Sequence, residues 1–210
     1  MTGARGQPPD FGSRKIFHIT QVNNLASIVN AGWLYSDSRC RGGAANPTNI
    51  GYSHIKGRRL VRPVPCAAGG FLGDYVPFNF CPRSVMLYVV NLGHADYQGG
   101  QEEVVHLCST VNHGMSTGRP WAFTDRHADV AHALYYADPA NLDQVPWKVM
   151  PETYWQSVKE ERQAEFLVHE QFPWSAIKYI GCMTEAVAAR VQGIVGASGP
   201  PVSVRREWYY

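Results

Sequence analysis

Long apolar runs are missing from this sequence. No stretch approaches the roughly 18 apolar residues of a bilayer-spanning helix, and Met1 to Lys15 is rich in Gly, Pro and charge, without a signal-peptide core. A soluble, cytoplasmic protein is expected. Cysteine is scarce as well: Cys40, Cys66, Cys81, Cys108 and Cys182 are odd in number and form no CxxC pair, which argues against a disulfide framework or a zinc ribbon. The net charge of +2 is too small to announce a nucleic-acid binder, so any basic surface must come from local clustering. No GxGxxG follows a strand, and no GxxxxGK precedes Ser or Thr, so neither a Rossmann nor a P-loop site is indicated. His127 and His132 lie too far apart for the shared helix face of HExxH, and neither Cys66 nor Cys81 has the second cysteine of a zinc base deaminase. Histidines and cysteines do not cluster at ligand spacings, and no metal is expected.

The chain does have enough apolar content, 45% of 210 residues, for one sizeable core. Residues 1–14 read as a flexible tail, and residues 15–210 as a single domain. Lys15-Ile-Phe-His-Ile-Thr20 has strand composition, and Thr20 is placed to cap a helix from Gln21 to Ala31, where Val22, Leu25, Ile28 and Val29 recur at helical spacing before Gly32. Residues 36–47 are a loop by composition, and a polar, helical stretch runs from Thr48 to Leu60. Short strands are expected at residues 75–80, 103–107, 121–124, 164–169, 178–182 and 201–205. Helices are expected at His127 to Tyr136 and Glu185 to Val195, with Asp125 and Thr184 as caps. Ser84 to Leu92 is read as a helix, although Met-Leu-Tyr-Val-Val also suits a buried strand. The irregular order of elements, without repeats, points to an α+β fold.

Two polar residues stand inside otherwise apolar strands, His18 in Ile-Phe-His-Ile-Thr and Glu165 in Gln-Ala-Glu-Phe-Leu-Val. From the strands alone, an edge-exposed or ion-paired carboxylate is the commoner reading, and a lone strand His is treated alike. Lys56, Arg58, Arg59 and Arg62 by themselves read as a solvated basic helix end.

Taken together, ordered blocks of this sequence carry more. They are Ile16-Phe-His-Ile-Thr20 with Asn23-Asn24-Leu25 and Ile28, Gly51-Tyr-Ser-His-Ile-Lys-Gly-Arg-Arg59, Gly73-Asp-Tyr-Val-Pro-Phe78, Phe80-Cys-Pro-Arg-Ser84 and Met86-Leu-Tyr88. Further along come Tyr97-Gln-Gly-Gly-Gln101, Phe123-Thr-Asp-Arg-His127, Gln163-Ala-Glu-Phe-Leu-Val168 and Trp208-Tyr-Tyr210. Over nearly its whole length the chain resembles the DarT family of DNA ADP-ribosyltransferase toxins. It departs from the family's pattern at Asn79, where members often carry an aromatic residue.

The resemblance implies the ADP-ribosyltransferase fold, a split β-sheet core with flanking helices that grips NAD between its two halves. It implies that Glu165 is catalytic, that His18 and Thr20 hold NAD together with Ile19 and Ser27, and that Arg59 contacts NAD and helps activate the acceptor base. Helical spacing also puts Ser27 with Asn23, Asn24 and Asn30 on the polar side of the first helix, where solvent exposure explains it equally well. The acceptor implied is a base of single-stranded DNA, most often thymine, with a transferase acting on protein or RNA as the alternative. A base inside a Watson–Crick pair is inaccessible, so a basic groove with aromatic faces is expected, with Arg58, Arg83, Tyr154 and Trp155 as candidates and Arg205-Arg206 further off. NAD is the implied co-substrate, and a macrodomain antitoxin that removes the adduct is the implied partner.

Overall fold

The computed structural model describes residues 10–210. Its strands are β1 (Lys15–Gln21), β2 (Trp33–Tyr35), β3 (Tyr75–Asn79), β4 (Val104–Thr110), β5 (Trp121–His127), β6 (Tyr135–Tyr136), β7 (Ala164–His169), β8 (Gln171–Pro173), β9 (Tyr179–Cys182) and β10 (Val202–Val204). The α-helical segments are α1 (Leu25–Ala31), α2 (Asp37–Arg39), α3 (Ser53–Arg59), α4 (Val85–Leu92), α5 (Val111–Met115) and α6 (Glu185–Val195). No helix among these residues is long and apolar enough to cross a membrane.

Eight strands form one sheet in the order β10-β9-β4-β1-β3-β7-β5-β6, and β2 pairs separately with β8. The large sheet is split at its centre. β1 runs antiparallel to β4 from Lys15 opposite Thr110 to Gln21 opposite Val104, and β3 runs antiparallel to β7 from Tyr75 opposite His169 to Asn79 opposite Glu165. Between these halves β1 and β3 share only the pair Phe17–Asn79, so the strands diverge on either side of it. The α+β class and the split sheet expected from the sequence are both present.

The central strands are buried on both faces, which pack on different clusters. Ile16, Phe78, Phe123 and Phe166 are buried in the main core, while Ile19 and Val104 join Leu87, Val90 and Tyr209 in a second cluster. The ambiguous segment is the helix α4: Ser84 Oγ accepts from Leu87 N at 3.1 Å, and Leu87 and Val90 pack on Ile19. Thr184 caps α6 in the same way, and Val187, Val191 and Val195 form its buried stripe. Gly32 ends α1 at φ 73°, a conformation costly for any residue with a Cβ.

Several local expectations give way. The segment His127 to Tyr136 is not a helix: β5 continues to His127, and the chain turns back as β6, pairing Phe123 with Tyr136 and Thr124 with Tyr135. Asp125 therefore caps nothing helical, and its Oδ1 accepts instead from Leu134 N across the hairpin at 2.9 Å. Sheet pairing, together with stacking of Tyr136 on Phe123 at 5.3 Å, outweighs the local spacing. The loop expected at residues 36–47 is partly wound into α2 and a π-helical turn, Cys40–Ala44, and Ser36 Oγ accepts from Arg39 N. Gln21, not Thr20, caps the first helical turn, and α3 begins at Ser53 rather than Thr48. Residues 1–9 of the expected tail lie outside the described residues. Residues 10–14, by contrast, are seated: Phe11 stacks on Trp147 at 5.4 Å, and Asn112 N donates to the Gly12 carbonyl at 2.9 Å.

Candidate active site

Glu165 enters the site from the start of β7, beside the split in the sheet, and its side chain is only 7% exposed. An ionised carboxylate at that depth needs partners. Arg59, at the end of α3, supplies a bidentate one: Nη1 donates to Oε1 at 2.9 Å and Nη2 donates to Oε2 at 2.8 Å. Ala128 N reaches Oε1 at 3.4 Å, and the Glu165 N–H donates to Thr124 Oγ1 at 3.0 Å, pinning the strand end. Burial opposes ionisation of Glu165, but the charge and hydrogen bonds of Arg59 prevail and hold the carboxyl below its usual range. Burial likewise opposes the charge on Arg59, and Glu165 more than restores it.

His18 sits on β1 across the split. Its Nδ1 is 2.8 Å from the Pro77 carbonyl, which can only accept, so that nitrogen carries the proton and Nε2 is left as an acceptor. Burial lowers the imidazole pKa to about 4, partly offset by the Pro77 contact, and the nearby charge of Lys56 acts in the same direction as burial. Thr20 is buried, and its Oγ1 accepts from Asn24 Nδ2 at 3.0 Å. Asn24 in turn clamps Thr48, donating to its carbonyl at 2.9 Å and accepting from its N–H at 2.7 Å. This tie leads the chain from α1 into the segment that carries α3.

His106 is also buried neutral, with its pKa lowered to about 4 by burial. The unfolded chain binds protons near the ordinary value of 6.5 at both His18 and His106, whereas the folded chain does not until about 4. Protonation in that window favours unfolding, so stability should fall as pH drops from 6.5 toward 4. A thermal midpoint at about pH 5 that equals or exceeds the midpoint at about pH 7 would contradict this.

The structure joins Arg59 to Glu165, sets His18 on β1 across the split against Pro77, ties Thr20 to Asn24, and treats the other sequence candidates differently. Ile19 packs its side chain into the α4 cluster, leaving only its main chain for a ligand. Ser27 is exposed on α1, outside the buried pair Leu25 and Ile28. Arg58 is tied to Asp129, with Nε donating to Oδ2 at 2.7 Å, and the basic end of α3 is therefore paired rather than merely solvated. Arg83 lies over the Tyr210 ring at 4.4 Å. Tyr154 is 86% exposed and free to stack, but Trp155 is 5% exposed and packs edge-on against Tyr88. Trp155 is therefore a wall residue and not a stacking platform. Arg205 and Arg206 are exposed, with Arg205 over the rings of Tyr179 and Trp208.

Sequence reasoning missed three residues at this site. His127 lies opposite Ala164 at an irregularity in β5, where burial lowers its pKa and the charge of Glu165 opposes the shift. Tyr135 donates its hydroxyl to the Ala128 carbonyl at 2.5 Å. Asp129 is buried beside them. The signal available was the polar run Thr124 to His127 at the end of an aromatic strand. No group of three or more His, Cys, Asp or Glu among the described residues is arranged to hold a metal ion.

Comparisons with known proteins agree with this fold. A family model described as DarT, ssDNA thymidine ADP-ribosyltransferase, matches residues 17–210. The chain is 40% identical over 201 residues to a DNA ADP-ribosyl transferase of Thermus aquaticus, covering 93% of this chain and 88% of that protein. It is 32% identical over 204 residues to a DNA ADP-ribosyl transferase of Escherichia coli O127:H6, covering 93% of each. Among solved structures, Thermus sp. 2.9 DarT in complex with ADP-ribosylated ssDNA matches with a TM-score of 0.87 at 38% identity, over 94% of this chain and 97% of that one. The same protein in complex with NAD+ matches with a TM-score of 0.84 at 36% identity, over 97% of this chain and all (100%) of that one.

Proposed function

This chain belongs to the DarT family of single-stranded-DNA thymidine ADP-ribosyltransferases, and from that premise we propose how its own residues carry the reaction. The enzyme transfers ADP-ribose from NAD to a thymine base of single-stranded DNA and releases nicotinamide. The observation that carries the residue assignment is the meeting of Arg59 and Glu165, 106 residues apart in sequence, as a largely buried bidentate pair close to His127.

Breaking the bond to nicotinamide leaves positive charge on the anomeric carbon, as in glycoside hydrolysis. Glu165 opposes that charge and accepts a hydrogen bond from the adjoining ribose hydroxyl, in a site where burial keeps water from screening it. His18, neutral and with Nε2 an acceptor, takes a second hydroxyl, and Thr20 lines the same wall. The electron pair of the glycosidic bond leaves with nicotinamide, and the thymine ring nitrogen attacks the anomeric carbon after giving up its proton to solvent water. Arg59 remains protonated throughout and therefore cannot be the base. It favours the deprotonated ring by its charge. When the ribose takes one oxygen of Glu165, the other still holds one arm of Arg59, so both groups stay in place.

Tyr154 and the half-exposed Arg58 are the proposed contacts for the flanking strand. Residues 15–210 act as one transferase domain in the cytoplasm, where DNA and NAD meet. Because the adduct harms the DNA that carries it, a macrodomain antitoxin that removes it is the proposed partner.

Mass spectrometry of oligonucleotides incubated with NAD tests the reading. A gain of one ADP-ribose on single-stranded DNA with thymine, absent from a thymine-free strand and from the paired duplex, is expected. Label on protein or RNA with none on DNA would overturn the DNA assignment.

A further inference from the structure

α3 carries the catalytic Arg59, yet none of its seven residues is buried and its N-cap makes no side-chain bond. A helix this short is not stable by itself, and no core stripe sets its position. Charged contacts do so instead. The Ser53 N–H donates to Asp96 Oδ2 at 2.9 Å, and Lys56 Nζ donates to Asp37 Oδ1 at 2.9 Å. At the far end Arg59 meets Glu165, and its neighbours converge on Asp129. Arg58 Nη2 stands 2.6 Å from Oδ2, Arg62 Nη2 donates to the Asp129 carbonyl at 2.8 Å, and Arg62 Nε lies 3.7 Å from Oδ1.

The Asp129 side chain is 2% exposed, and a buried carboxylate at a surface helix end is costly unless it organises its partners. Its place in the chain shows what it organises. The preceding residue, Ala128, offers its N–H to Glu165 and its carbonyl to the Tyr135 hydroxyl. One tight turn thus touches Glu165 on one side and grips both arginines that flank Arg59 on the other.

We propose that Asp129 is a positioning residue for the transfer step: by clamping Arg58 and Arg62 it sets the roll of α3 and so aims the Arg59 guanidinium at Glu165 and the acceptor base. Its part grows during the reaction. Once the ribose takes a carboxylate oxygen from Arg59, Asp129 is the full anchor left at that end of the helix. The assignment rests on the DNA-transfer reading above.

A mutant cycle tests it, with adduct formation followed by mass spectrometry at a temperature where every variant is folded. Asp129→Asn keeps the shape and removes the charge. With Arg59 present it should lower kcat about ten- to a hundredfold, as a displaced catalytic group does, while KM for NAD stays within about twofold. In an Arg59→Lys background the same change should cost less than about twofold more, because there is no guanidinium left to aim. A merely structural role would repeat its loss in both backgrounds, and that result overturns the proposal, as does a loss below about threefold with Arg59 present. If Asp129→Asn does not fold, Arg62→Gln removes the other half of the clamp and must show the same non-additivity. Wild-type protein that forms no DNA adduct overturns the DNA reading and this proposal with it, whereas a wild-type adduct with an additive cycle overturns the proposal alone.

Discussion

Glu165→Gln is expected to slow transfer to DNA by about 10²–10³-fold, the cost of losing one preorganised charge partner of the transition state. The substitution keeps the size of the side chain and one acceptor oxygen, so the ribose hydroxyl still has a place to bind and NAD affinity should change little. What disappears is the negative charge. That charge matters because the side chain is 7% exposed and Arg59 keeps it ionised across the working pH range. A fixed carboxylate at this depth meets the developing cation without reorganising water, which a neutral amide cannot do. The change also leaves Arg59 without its full counter-charge, and some thermal stability should be lost through that group, which is itself only 14% exposed. Single-turnover rates by mass spectrometry, at a temperature where a melting scan shows the variant folded, separate the two effects. Retention of more than about a third of the wild-type rate would rule out the electrostatic role given to Glu165.

Arg162→Met is expected to lower stability by about 2 kcal/mol, through a different mechanism. Arg162 is 3% exposed, and no carboxylate is paired with it among the described residues. Its terminal nitrogens are held by carbonyls, Nη1 donating to Val149 and Met150 at 2.8 and 2.7 Å and Nη2 to Arg83 at 3.2 Å, while the buried Nε has no partner among the described residues. It therefore ties the segment ahead of the catalytic strand to the connection between β3 and α4. Methionine matches the volume but leaves the Met150 carbonyl without a donor, a cost of about 1–3 kcal/mol when buried, while the Val149 carbonyl keeps the Glu152 N–H and the Arg83 carbonyl keeps the Tyr210 hydroxyl; relief from desolvating a cation offsets that cost only in part. For a chain of this size the loss corresponds to about 4–8 °C in the thermal midpoint. A midpoint within about 2 °C of wild type would mean that water or a local shift re-satisfies the Met150 carbonyl, and that the cation is not what holds the segment.

Much of the scaffold and the heart of the site are legible in the residues themselves. β1, β3 and β7 declare themselves through short runs of aromatic and β-branched residues, and Ser84, Thr184 and Gly32 mark helix ends through local hydrogen bonds and backbone freedom. His18 and Glu165 stand out because a strand covered on both faces has little tolerance for an unpartnered polar side chain. All of these signals act within a few residues of the chain, which is why local reading recovers them.

The tertiary structure decided the rest. The stretch from His127 to Tyr136 has spacing that suits a helix, but pairing with β5 across the hairpin makes it sheet. Trp155 and Tyr154 are neighbours with the same composition signal, yet packing against Tyr88 buries one and leaves the other in solvent. Asn24 reads as one of several polar residues on a helix face until Thr48 is placed against it. The basic end of α3 reads as a solvated surface until the strand order brings Glu165 and Asp129 to it. The sequence by itself determined which residues could carry charge inside this protein. Only the long-range order of the strands decided which of them meet, because the energy of an ion pair depends on distance in space and burial, and neither is written in the spacing along the chain.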